Sequence, residues 1–146
     1  MKRWLLAVVV MVLASCGGSG GAKLEAPEKA FERQLRYLAD GQAGLAYEEI
    51  HPAQQALFSK DIYMRCVKEG GSFDVGSVKI VKVYDEEAAI PGTQVRAMAK
   101  AVTATVELKN GILKNSTTDT YHEVLVDGVW RFTVSDAAAY TATTCP

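Results

Sequence analysis

Two asparagine- or aspartate-glycine pairs sit in the second half of this 146-residue chain, Asn110-Gly111 and Asp127-Gly128, each between stretches that alternate apolar and polar residues. Such a pair favours the two-residue turn of an antiparallel hairpin, because it accepts the positive φ angles that match strand twist. Between Val95 and Leu108 the apolar Val102, Ala104, Val106 and Leu108 alternate with Thr103, Thr105 and Glu107, the period of a half-buried strand. The return strand is expected from about Ile112 to Val126, and the last from Val129 to Val134. A further strand, Val78 to Tyr84, precedes them, bounded by Gly76 and an acidic turn at Asp85-Glu86-Glu87. Lys79, Lys82 and these acids read as a solvated strand edge. A two-residue turn at Asp127-Gly128 also sets a register: Leu125 faces Trp130, Glu123 faces Phe132 and Tyr121 faces Val134. Those six share one face, while His122, Val124, Arg131 and Thr133 share the other. The first face holds both large aromatics and is expected to point inward.

The first half reads as helices. Pro27 suits a first turn, Glu28 and Glu32 sit where the helix dipole favours acids, and Phe31, Leu35 and Leu38 form one apolar stripe. Asp40-Gly41 ends that helix. A short helix from Gln42 to Glu49 stops at His51-Pro52, an extended step, and another begins near Ala53. Ser59 is an N-cap for a fourth, with Asp61 in its first turn and Gly70-Gly71 at its end. Helices followed by hairpin-linked strands predict an α+β domain, its helices packed on one face of a curved antiparallel sheet.

The beginning of the chain belongs to something else. Met1-Lys2-Arg3 is basic, and Trp4 to Leu13 is an unbroken apolar run, too short for a bilayer span of about 20 residues and suited to a signal peptide. It ends in Leu13-Ala14-Ser15-Cys16, which resembles the lipobox of bacterial lipoproteins. That resemblance implies cleavage before Cys16, a diacylglyceryl group and a palmitate-type acyl chain on it, and a place in the cell envelope. The chain would be held on the outer side of the cytoplasmic membrane or in the outer membrane, its partner there being the bilayer. Residues 1–15 are then the signal peptide, 16–26 a lipidated cysteine with a Gly/Ser-rich linker reaching about 17–19 Å, and 27–146 a single domain.

The domain part, with its Ser59-capped helix, the stretch from Asp40-Gly41 through Cys66, and the closing Gly128-Val129-Trp130-Arg131-Phe132, is similar to the nuclear transport factor 2-like, or cystatin-like, superfamily. The resemblance implies a sheet curled into a cone that helices close. Phe31, Leu35, Leu38, Tyr121, Glu123, Trp130 and Phe132 would line it. Glu123 then has two readings: a pocket acid with a raised pKa, or a rim residue that is solvated or paired with a lysine or arginine. The penalty for burying an unpaired carboxylate favours the rim.

Nothing else carries a reaction. His51, at a helix end, is expected to cap carbonyls or meet solvent, and His122 falls on the face opposite Glu123. No catalytic residue is assigned, no cofactor is implied, and two histidines without metal-ligand spacing give no metal site. Cys66 and Cys145 remain after export to an oxidising compartment and are expected to pair as a disulfide. Without Lys2 and Arg3 the formal charge moves from −1 to −3, which argues against a nucleic-acid partner. The expectation is a membrane-anchored module that binds a small apolar ligand or an envelope protein; a small isomerase- or cyclase-like enzyme and a structural envelope lipoprotein are the alternatives.

Overall fold

The computed structural model describes residues 23–146. The signal peptide, the lipobox with Cys16 and the linker as far as Ala22 lie outside the described residues.

Four helices come first: α1 (Pro27–Ala39), α2 (Ala43–Glu48), α3 (Pro52–Gln55) and α4 (Lys60–Glu69). Their ends follow local chemistry. Pro27 opens α1, Gly41 beyond its end takes φ +69°, and Ser59 Oγ accepts the Ile62 N–H at 3.4 Å to cap α4. His51 departs from expectation. It is buried, and its Nδ1 accepts the Ala53 N–H at 3.2 Å, so it caps the start of α3 instead of a helix C-terminus.

Four antiparallel strands follow in the order β1-β2-β3-β4: β1 (Asp74–Ala89), β2 (Arg96–Asn110), β3 (Leu113–Val126) and β4 (Val129–Phe132). Helices packed on an antiparallel sheet make this an α+β domain. At Asp127 and Gly128 φ is +51° and +79°, as a type I′ turn requires. Leu125 pairs with Trp130 and Glu123 with Phe132. The expected Tyr121–Val134 pair does not form, because β4 ends at Phe132.

The other hairpin differs by one residue. Asn110 pairs with Leu113, so Gly111 and Ile112 make the tip. Only Gly111 has positive φ there, +61°, which is the glycine-first pattern of a type II′ turn. Strand β1 is also longer than expected. Asp85-Glu86-Glu87 form no turn but continue the strand, and cations on β2 reach two of them: Lys100, directly opposite Asp85, has Nζ 2.6 Å from its Oδ1, and Arg96, diagonal to Glu87, has Nε 2.8 Å from its Oε1. Cross-strand pairs of opposite charge support a ladder where like charges alone would break it. Two irregularities in β1, at Val75/Ser77 and Ile80/Lys82, bend the strand as β-bulges do.

Burial is not confined to the helix face. On that face Val102, Ala104 and Val106 pack with Phe31, Leu35 and Tyr121. At the far end of the sheet the opposite face is buried too, where Ala99 and Val124 pack with Ala88, Ile90 and Ala53 of α3. Val124, expected outside, is therefore core. Leu125, expected inside, is 45% exposed. The outer edge of β4 is covered as well: His51 N–H donates to Phe132 O and Phe132 N–H to Glu49 O, at 2.9 and 3.0 Å. This parallel bridge satisfies an edge that would otherwise be open.

The tail returns to the helices. Tyr140 stacks on Phe58 at 4.7 Å between ring centres and tilts against Tyr63 at 5.5 Å. Cys66 of α4 is joined to Cys145, with Cα atoms 5.2 Å apart.

Candidate functional site

Between α1, β3 and the segment that follows β4 lies a cavity of about 240 Å³. Phe31, Leu35 and Leu38 line it from α1, Tyr121 and Glu123 from β3, and Phe132 from β4. Tyr63 of α4 and Tyr140 of the tail close it. Each comes from a local rule: the helical stripe presents the α1 residues, and the period of two puts Tyr121 and Glu123 on one face of β3. The phenols of Tyr63, Tyr121 and Tyr140 are held protonated chiefly by burial.

Trp130 is elsewhere. It is 7% exposed, and its indole N–H donates to Glu25 O at 2.6 Å. It pins the segment before α1 and does not reach the cavity.

Glu123 is 0% exposed, not a rim residue. Its Oε2 accepts a hydrogen bond from Gln34 Nε2 at 3.1 Å. Its Oε1 is buried with no partner. Two cations on neighbouring elements, Arg33 and Lys100, are committed to other acids. Arg33 grips Glu49 with two bonds of 3.0 Å, Nε to Oε1 and Nη2 to Oε2, and also contacts Glu25. Lys100, which faces Glu123 across the β2–β3 ladder, is bound to Asp85. Burial therefore dominates and pushes the Glu123 carboxyl up to about 8; the Gln34 bond opposes this in part. At neutral pH the group is mostly a neutral acid that can donate or accept a hydrogen bond.

Gln34, Tyr63 and Tyr140 were not singled out in the sequence. Gln34 lies three residues after Phe31 on the inner face of α1, so helical spacing could have found it. The two tyrosines are brought in by tertiary packing and by the tail tied back at Cys145. His122, on the face opposite Glu123, has Nε2 in contact with Glu86 Oε1 of β1 and also borders the cavity mouth. Among the described residues no cluster of His, Cys, Asp and Glu could hold a metal, and no helix is long and apolar enough to cross a membrane.

No protein-family model matches this chain, and no curated protein does.

Proposed function

We propose that this protein is a lipid-anchored binding module of a bacterial cell envelope, with a nuclear transport factor 2-like domain whose cavity takes a small, mostly apolar ligand. The anchoring part rests on the lipobox-like Leu13-Ala14-Ser15-Cys16. The superfamily part rests on the order of elements, four helices and then a bent antiparallel meander closing on Trp130-Arg131-Phe132. The observation that carries ligand binding is Glu123: a buried carboxyl oxygen without a partner, in a cavity walled mainly by aromatic and aliphatic side chains, with Gln34, His122, Thr133 and Ser135 as the other polar lining. Leaving such an acceptor unsatisfied costs about 1–3 kcal/mol, and a ligand group that meets it recovers that.

Binding is preferred to catalysis for a chemical reason. Among the described residues the only side chain bonded to Glu123 is Gln34, an amide that cannot exchange a proton with it at neutral pH. No second titratable side chain is bonded to Glu123 among the described residues, so no hydrogen-bonded acid–base pair is assembled there. A purely structural role would have the aromatics fill the cavity, yet space remains beside Phe31 and Phe132.

Native mass spectrometry of the lipoprotein released from its membrane in mild detergent tests the binding reading. A retained small molecule that is lost from Glu123→Gln supports it; protein that is empty in every preparation refutes it. Cys16→Ser tests the anchor. The variant should leave the membrane fraction or accumulate as precursor, and fatty-acid labelling that persists without Cys16 would refute lipidation.

A further inference from the structure

The walls of the cavity select for charge. Five aromatic rings, Phe31, Tyr63, Tyr121, Phe132 and Tyr140, surround a single acid, and neither lysine nor arginine lines the space. We propose that the cavity receives an organic ammonium: a small amine whose apolar body lies among these rings and whose cationic nitrogen meets Glu123 Oε1. This rests on the ligand-binding reading above and adds the sign of the ligand's charge.

A carboxylate or phosphate ligand would meet Glu123 with no lysine or arginine in the wall to balance it, and the one histidine there, His122, is engaged with Glu86. A neutral ligand would satisfy one hydrogen bond and make no use of the rings beyond their area. A cation gains from both, since aromatic faces attract positive charge most strongly where water is excluded. The wider field has the same sign. On the α1 side Arg33 is outnumbered by Glu49, at the end of α2, and Glu25, before α1. On the sheet side Lys100 of β2 is neutralised by Asp85 of β1. On β3 itself Tyr121 is a neutral phenol and His122 is turned to Glu86, and Phe132 of β4 carries no charge. The only polar contact already made to the acid is the amide of Gln34.

The charge balance gives the test its sign. In the free protein burial keeps a proton on Glu123 below about pH 8. A bound ammonium takes over the role of that proton, which leaves to solvent. Affinity for an amine therefore rises with pH, by up to about tenfold per unit, and levels off above the carboxyl's own titration. A neutral ligand that accepts the carboxyl proton binds with little pH dependence below that titration and loses affinity above it.

Titration calorimetry of the detergent-solubilised full-length protein, blanked against empty micelles, can compare three probes of one shape. They are cyclohexylmethylamine, which like lysine stays charged below about pH 9, cyclohexylmethanol and cyclohexanecarboxylate. The amine should bind at least about tenfold more tightly than the alcohol, the carboxylate should not bind, and Glu123→Gln should abolish the preference while leaving the alcohol nearly unchanged. Equal binding of alcohol and amine overturns the ammonium proposal and leaves the ligand-binding reading standing. Preference for the carboxylate also overturns it, and no binding of any probe counts against both. Should Glu123→Gln fail to fold, the pH slope of the unaltered protein between about pH 6 and 8 decides the question.

Discussion

Gln34 and Glu123 are 89 residues apart in the chain, and the amide of one donates to the carboxyl of the other at 3.1 Å in the interior. This single bond joins α1 to β3 and satisfies one oxygen of the acid. The second oxygen is buried without a partner.

The titration of Glu123 should be visible in stability. Its carboxyl rises from 4.5 in the unfolded chain to about 8 in the folded one, mainly by burial. Between those values the folded state binds more protons than the unfolded state. Its contribution is therefore fully present below about pH 4.5 and is lost as pH rises towards 8. Chemical denaturation at several pH values should show this downward slope, and Glu123→Gln should flatten it and be the more stable protein above pH 8. A slope unchanged in the variant would mean that another group carries it.

Phe31 and Phe132 should respond unequally to truncation. Phe31 is 3% exposed and lies 4.4 Å, ring centre to ring centre, from Tyr121. Phe31→Ala should destabilise the domain by about 3–5 kcal/mol. Phe132 is only partly buried, and its backbone bonds to Glu49 and His51 do not depend on its ring, so Phe132→Ala should be milder. Equal losses in urea melts would contradict the exposures.

Gln54 should prove more sensitive than its residue type implies. It is 0% exposed. Its Nε2 donates to Pro91 O and Val134 O, and its Oε1 accepts the Val134 N–H, at 2.8–2.9 Å. Gln54→Ala leaves three main-chain groups without partners, for a loss of about 3 kcal/mol or more. It should also speed amide exchange at Val134, which hydrogen exchange can read directly. Unchanged protection there would contradict the role given to the Gln54 side chain.

The disulfide ties the tail across a long loop. Cys66 and Cys145 are 79 residues apart in sequence. Closing a loop of that length is worth up to about 4.5 kcal/mol by restriction of the unfolded chain. Non-reducing peptide mapping should recover the two cysteines joined. Replacing both by alanine should lower the unfolding midpoint and loosen Tyr140 from Phe58 and Tyr63. Two thiols freely alkylated in the folded protein would contradict the pairing.

Local rules legible in the sequence reach a few residues along the chain. Asp127-Gly128 admits the two positive φ angles of a type I′ turn, and that alone sets Glu123 against Phe132 and puts Tyr121 on the same face. Pro27, Gly41 and Ser59 mark helix ends because capping is satisfied within one turn. The order of helices and then hairpins was enough for an α+β domain. Tertiary structure decided what depends on distant partners. Arg33 went to Glu49 and Lys100 to Asp85, so the carboxyl expected at a solvated or paired rim is buried with an amide. Covering elements decided burial as well. Ala53 and Ile90 make Val124 core, while Leu125 on the other face of β3 stays exposed. Alternation along a strand tells which residues share a face. Only the assembled molecule determines what covers each face, and which of several like charges is nearest.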